Sequence, residues 1–409
     1  MVVKRGKIQP SNRVSVNDLD LLNLLPNSLI EELSTELKAD KWVKKLKAGV
    51  LFKLVLYSLL NSERFSLRVM ESNAKDPFFK ALAPAFEADD VTWTGIRDRL
   101  IHLKVDFARR LYEHTYGEVS RLYDNKTLES YHVQRYDSTM IATFSHLLSG
   151  MKVGNTAKGK TQVKLTTELK DDFLIKMDFH SDQAHLSEET ALKEAILKAA
   201  HSSEAVTVFD KGLKSRLSFV EFDEKETLFV GRLTENPRYD LLYPHWQELD
   251  NTADTEELEF IQDSVVHLYQ SAASEPLERK FRLIQFRRKL DGQTLSFITN
   301  LWDVQAITIA DIYRRRWDIE VLFRFLKQEM NLTHFVCNDT NAIQVMLYFT
   351  MIAAMLVLIF KKKNAIKSYK IAKIQFFKEL FYSIFLDILE QPQALEWLKE
   401  NMKKFVKRE

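Results

Sequence analysis

The spacing of hydrophobic and polar positions changes texture along the chain. From Val14 to about Tyr123 apolar residues recur at helical intervals among charges, and the pattern predicts helices over residues 29–39, 41–60, 67–73, 77–83, 94–105 and 106–123. At Ser130 the period shortens. Residues 131–142 read as a strand, and two short runs at 162–169 and 173–179 complete a meander of three. A helix over 187–200 follows, with Leu192, Ile196 and Ala199 on one side. Residues 205–209, Ala-Val-Thr-Val-Phe, then form a continuous apolar run of the kind found in buried parallel strands, and the run closes on Asp210. A further helix is expected near 215–224 and a strand at 227–233.

Three antiparallel strands, a helix and a buried strand ending in Asp predict an α/β fold that opens like a ribonuclease-H-like core. Beyond 233 the regularity is lost. Residues 236–249 are rich in aromatics and prolines, 250–263 are strongly acidic, and basic strand signals appear at 279–289 and 294–301, so a β-rich insertion is expected. Residues 313–327 then read as one amphipathic helix, and 367–385 and 393–405 as a helical tail. The expected division is a helical amino-terminal region at 1–125, a ribonuclease-H-like core at 126–235 and 296–365, an insertion at 236–295 and a helical carboxy-terminal region at 366–409. One stretch, 342–360, is apolar enough to span a membrane and is followed by Lys361, Lys362 and Lys363. Gln344, Tyr348 and Thr350 interrupt it and it has no companion, so a buried helix and no membrane are expected.

Composition narrows the class without choosing the function. Hydrophobic residues make up 45% and charged residues 28%, ordinary for a folded soluble protein. With 59 Lys and Arg against 57 Asp and Glu, any affinity for nucleic acid must come from local clusters. Such clusters exist on the amino-terminal side: Lys41, Lys44, Lys45 and Lys47, then Arg97, Arg99, Lys104, Arg109 and Arg110. A single cysteine, Cys337, excludes an intrachain disulfide or a cysteine zinc cluster and suits a reducing cytoplasm, and the first residues lack the apolar run of a secretory signal.

The candidate chemistry lies in three carboxylates: Asp137 within the first strand, Asp210 at the end of the buried strand and Glu320 on the charged helix. At about 100° per residue Tyr313, Arg316, Glu320, Arg324 and Lys327 fall within an arc of roughly 80°, so one acid stands in a stripe of cations. By itself the stripe also describes a solvated helix with i,i+4 ion pairs. With both aspartates upstream it describes a site for two magnesium ions, since hard divalent cations take carboxylate oxygens and leave room for substrate phosphates.

Tyr313-x2-Arg316-x3-Glu320-x6-Lys327 resembles at every position the Tyr-Arg-Glu-Lys signature of bacterial insertion-sequence transposases of the Asp-Asp-Glu type, in the "insertion sequence four" group. Asp137-Ser138-Thr139 is similar to that family's first-acid motif, and Asp210-Lys211-Gly212 to its second. The resemblance runs from about Ser130 to Phe360. It implies that Asp137 bridges two Mg2+ ions, with Mn2+ as a substitute, while Asp210 completes one and Glu320 the other. It implies further that Arg316 and Lys327 hold phosphates and that Tyr313 contacts a phosphate or orders the flanking strand. Arg324 joins this set from helix geometry alone. Trp246 and Trp302 are candidates for stacking a flipped base, against the alternative of core packing.

The implied partners are double-stranded DNA, as terminal inverted repeats and target, and a second protomer in the synaptic complex, in the bacterial cytoplasm on the nucleoid. Two other readings stay open: a ribonuclease-H-like nuclease without strand transfer, and a catalytically silent DNA-binding relative.

Overall fold

The computed structural model describes residues 25–84, 86, 91–122, 132–142, 151–152, 161–170, 173–180, 187–198, 205–211, 213–233, 237–245, 254–270, 275–332, 336–392 and 394–406. Gly212 and Trp246 lie outside these residues. The chain forms two compact units, one built from Met1–Asp124 with Phe325–Glu409 and the other from Asn125–Arg324.

The first unit is helical. Its amino-terminal part contributes α1 (Asn27–Glu36), α2 (Ala48–Asn61), α3 (Leu67–Ala74), α4 (Pro77–Leu82), α5 (Trp93–His102) and α6 (Val105–Leu122). Helix starts follow local capping chemistry: Ser66 Oγ accepts from Val69 N at 3.2 Å, Thr92 Oγ1 from Gly95 N at 3.2 Å, and Pro77 opens α4 behind an Asp76 cap. One expected element is shorter than its pattern. The helix expected from 41 begins only at Ala48, because α1 ends in a left-handed residue, Lys38 (φ 51°), and the Asp40 carboxylate reaches forward to Ala48 N at 2.7 Å.

The second unit is a mixed α/β structure on one ten-stranded sheet. In chain order it contains β1 (His132–Ala142), β2 (Met151–Lys152), β3 (Thr161–Lys170), β4 (Phe173–His180), α7 (Glu188–Lys198), β5 (Ala205–Phe209), α8 (Arg216–Glu224) and β6 (Leu228–Arg232). It continues with β7 (Tyr239–Pro244), β8 (Leu258–Tyr269), β9 (Pro276–Arg288), β10 (Thr294–Thr299) and α9 (Ala306–Arg314). Strands run in the order β2-β3-β1-β5-β6-β10-β9-β8-β7, with β4 also on β3. β1 is antiparallel to β3 and parallel to β5, β5 is parallel to β6, and β10 returns antiparallel on β6. The expected strands of the first half are therefore all present. β7 and β8 are additional to those the sequence pattern marked.

Helices cover both faces of this sheet. On one face Tyr136 and Phe209 pack with Leu192 and Ile196 of α7 and Phe219 and Phe222 of α8. On the other face Val133, Val206, Val208 and Val230 meet Ala306, Ile309 and Ile312 of α9. Phe209, Phe219 and Phe229 stack with centroids 5.5 to 5.9 Å apart. Gly231 makes that stack fit, since a Cβ there would lie 2.5 Å from Phe209 Cε2. Gly231→Ala is expected to overpack this face and cost about 1–3 kcal/mol in urea unfolding. An unchanged midpoint would show that the Phe209 ring gives way freely.

α10 (Trp317–Gln328) carries the chain from the second unit back to the first, the boundary falling at Arg324 and Phe325. α11 (Thr340–Lys363), α12 (Tyr369–Leu389) and α13 (Ala394–Val406) complete the first unit. α11 contains the long apolar stretch, and most of that stretch is buried within the protein, as its polar interruptions predict. It packs against α2, α5, α6 and α12, with Phe52 and Phe349 edge to face at 5.1 Å. Asp339 caps its start through Ala342 N at 2.9 Å. Asn341 Nδ2 satisfies the carbonyls of Ile101 and Leu103 at 2.9 and 2.7 Å, closing the end of α5.

Candidate active site

The strands that lead to the two aspartates, β1 and β5, are parallel neighbours. Arg135 of β1 pairs with Val208 of β5, the last pair of that ladder, and the same register carried two residues further, one past the end of β5, would set Asp137 level with Asp210. Neighbouring strands lie about 4.8 Å apart, so both acids stand at one level of the sheet. Alternation also fixes their side. Asp137 has the parity of Val133 and Asp210 that of Val206 and Val208, whose side chains face α9, so both acids stand on the face that α9 covers. Both are half-buried.

The helix that carries Glu320 is tied to the same strand. Arg135, 2% exposed and two residues before Asp137, donates from Nη1 to Asp318 Oδ2 at 2.8 Å. Sequence reasoning did not single out Arg135; its parity with Asp137 was the available signal. The expected single helix over 313–327 is in fact two, α9 and α10, joined by a tighter turn at Arg315 and Arg316. There Arg316 N bonds Tyr313 O at 2.9 Å and Asp318 N bonds Arg315 O at 3.1 Å. Tyr313 therefore lies on α9 and Glu320, Arg324 and Lys327 on α10, with Arg316 at the joint.

Around this joint charges and rings converge. Arg316 Nη2 donates to Glu320 Oε1 at 2.5 Å, and its guanidinium carbon lies 5.8 Å from the Tyr313 ring. Tyr313 in turn packs on Phe297 at 5.0 Å. Burial pushes the Tyr313 phenol above its usual value, with Arg316 and Arg232 opposing and Asp210 adding to the rise. For Arg316 burial works against the charge, but Glu320, Tyr313 and Asp210 outweigh it and hold the guanidinium above its ordinary value. Asp210 is thus within electrostatic reach of both Tyr313 and Arg316. A cleft of about 620 Å3 opens alongside, lined among others by Arg232, Arg288, Tyr313, Arg314, Arg316 and Trp317.

Other expected residues are placed differently. Arg324 is exposed and Lys327 half-buried, one and two turns after Glu320 on α10. Trp302 lies in the segment after β10, half-buried, with the His245 ring 5.6 Å away. The donor set of Asp137, Asp210 and Glu320 is wholly carboxylate oxygen and fits a hard divalent cation in type. Among the described residues no three His, Cys, Asp or Glu side chains are gathered closely enough to share an ion. Glu320 Oε1 instead accepts from Arg316 Nη2.

The sequence model described as the transposase DDE domain matches residues 130–356. The chain belongs to that family. The Sinorhizobium fredii protein y4zB, named as a transposase, is 31% identical over 167 residues, which are 41% of this chain and 46% of that one. A Geobacillus stearothermophilus protein named as a transposase for insertion sequence element IS5377 is 36% identical over 78 residues, 19% of this chain and 20% of its own. A Synechocystis protein named for insertion sequence element IS4SA is 33% identical over 70 residues, 15% of this chain and 21% of its own. The matched stretches thus span less than half of each relative.

Among solved structures, piggyBac transposase in its synaptic complex with hairpin DNA shares the fold at a TM-score of 0.51 and 11% identity, over 96% of this chain and 85% of that one. The resemblance read from Tyr313, Arg316, Glu320 and Lys327 to DDE-type insertion-sequence transposases is therefore borne out at the level of the family.

Proposed function

We propose that this DDE-domain protein is the transposase of a bacterial insertion sequence, binding the element's terminal inverted repeats, cutting there and joining the freed 3′ ends to target DNA. The observation that carries this reading is the parallel register of β1 on β5, paired as far as Arg135 and Val208 two residues before each aspartate, with Arg135 also tied to Asp318 on the helix that bears Glu320. The order β3-β1-β5-β6, with helices α7 and α8 between its parallel strands, supports a ribonuclease-H-like core. Strands β7 to β9 are then the β-rich insertion between the second and third acids, and the amino-terminal helices bind DNA.

Asp137, Asp210 and Glu320 would hold two Mg2+ ions, or Mn2+ in their place. Bound there, such ions would lower the pKa of the attacking water or 3′-hydroxyl and steady the leaving oxygen. The protein's own groups position the DNA. Arg316 keeps a buried Nε–H with no hydrogen-bond partner among the described atoms, a donor suited to a phosphate oxygen. Tyr313 presents its phenol beside Arg316 and orders the flanking strand, while Arg324 and Lys327 extend the phosphate track along α10. Trp302, and Trp246 outside the described residues, are each candidates for stacking a displaced base. Two protomers meet in synapsis, in the cytoplasm on nucleoid DNA.

The test uses duplexes that carry the short inverted repeats flanking the reading frame. With Mg2+ the purified chain is expected to cut at the repeat ends and join the 3′-hydroxyls to a supercoiled target. Cutting without joining would assign a nuclease, and tight binding without cutting a silent relative. Arg316→Ala and Lys327→Ala should each reduce the slope of log affinity against log salt by about 1, read by fluorescence anisotropy. A slope unchanged in both variants would remove them from the phosphate contacts.

A further inference from the structure

The loop between α1 and α2 is braced from inside. Arg99, 8% exposed on α5, donates from Nε to Leu46 O at 2.8 Å and from Nη2 to Ala39 O at 3.0 Å and Asp40 Oδ1 at 2.7 Å. Asp40 also accepts from Ser34 Oγ at 2.6 Å and from Ala48 N at 2.7 Å. The loop's only acid is thus turned inward, and both ends of the loop are fixed. Outside, Lys38, Lys41, Lys44, Lys45 and Lys47 are all exposed. Against a net charge of only +2 for the whole chain, that is a concentrated positive surface.

Trp42 at its tip resists a folding explanation. Its side chain is 89% exposed, so it contributes little burial. Its φ of 70° lies in the left-handed region, at the third position of a turn closed by Val43 N on Asp40 O at 3.0 Å, where Gly or Asn is favoured. Lys41 Nζ lies 5.5 Å from the indole centroid. Strained backbone under an exposed aromatic, ringed by lysines, is the chemistry of a ligand contact.

We propose that this loop is a duplex-DNA contact in which Lys41, Lys44 and Lys47 lie along phosphates and Trp42 packs against sugars and base edges in the groove. The inference rests on the DNA-acting reading of the protein and assigns a surface outside the acid cluster. A lipid surface is disfavoured by the same loop, whose other apolar residues turn inward, Val43 half-buried and Leu46 7% exposed. The brace from Arg99 keeps the loop in one shape before binding, which limits the entropy lost on contact.

The experiment compares the full chain with W42G, W42F and K41Q/K44Q/K47Q on labelled inverted-repeat duplexes. W42G is expected to melt at the wild-type temperature or above, yet to bind about tenfold more weakly. The triple variant should lose about three from the salt slope. The emission difference between wild type and W42F isolates Trp42, and DNA should quench it and shield it from acrylamide. If W42G binds like wild type and this emission ignores DNA, the loop assignment is overturned while the transposase reading stands. If wild type itself fails to bind duplex, both fall. A Trp42 signal that follows anionic vesicles or protein concentration instead would reassign the loop to a membrane or to a second copy.

Discussion

Glu320→Gln is expected to abolish Mg2+-dependent cleavage of inverted-repeat DNA while leaving binding to the same DNA intact or slightly tighter. The substitution keeps the side-chain volume and removes one carboxylate from the proposed donor set of three. Losing a residue that merely supports a metal ligand costs about 10–100-fold in affinity or activity, so losing a ligand should cost at least about 100-fold in cleavage. The binding half of the expectation comes from Arg316. Its Nη2 sits 2.5 Å from Glu320 Oε1, and a neutral Gln releases part of that cation for phosphate. Stability should barely change, because Glu320 is about a third exposed and such pairs contribute about 0–1 kcal/mol. Cleavage near the wild-type rate would sink the assignment of Glu320 as the third acid. Loss of both cleavage and binding, with a lowered melting temperature, would instead make the Arg316–Glu320 pair structural.

Much of the second unit's first half was legible because its signals are local. The continuous apolar run Ala205–Phe209 fits a buried parallel strand and forms one, whereas its register with β1 came only from the structure. Asp137 and Asp210 followed from that reading. The joint at Arg315 and Arg316 did not, because both flanks carry helical periodicity and the break consists of shorter-range hydrogen bonds with no Gly or Pro to mark it. β8 was hidden by the acids that lead into it. One of them, Asp263, is 5% exposed inside the sheet, paired with Arg282, which is fully buried on a face that alternation presents as mixed basic and apolar. The Lys41–Lys47 segment read as helix because lysines and leucines happen to fall at helical spacing. What makes it a loop is Arg99, 59 residues from Asp40, a contact that no local pattern announces. The folding of Phe325–Glu409 with the amino-terminal helices is of the same long-range kind.

The buried Arg282–Asp263 pair leads to the largest expected effect on stability. Arg282 donates from Nε to Asp263 Oδ1 at 2.9 Å and from Nη2 to Oδ2 at 2.5 Å, and its Nη1 reaches the carbonyls of Leu301 at 3.0 Å and Val304 at 2.5 Å. Side-chain exposures are 0% and 1%, so water screens neither charge. Asp263→Ala leaves a guanidinium in the sheet interior without its counter-ion, which costs about 3–5 kcal/mol. For a unit of this size the melting temperature should fall by roughly 10 °C. Arg282→Met with Asp263→Leu removes both charges and should recover most of that loss, since a matched apolar pair avoids the desolvation that the ion pair overcomes. The consequence reaches the site, because the carbonyls that Arg282 holds belong to the segment leading from β10 into α9, where Tyr313 stands. The single variant should therefore weaken cleavage through Tyr313 and Arg316 even at temperatures where the second unit stays folded. A double variant no more stable than Asp263→Ala would mean that Arg282 is needed for the carbonyls of Leu301, Trp302 and Val304 rather than for the charge pair.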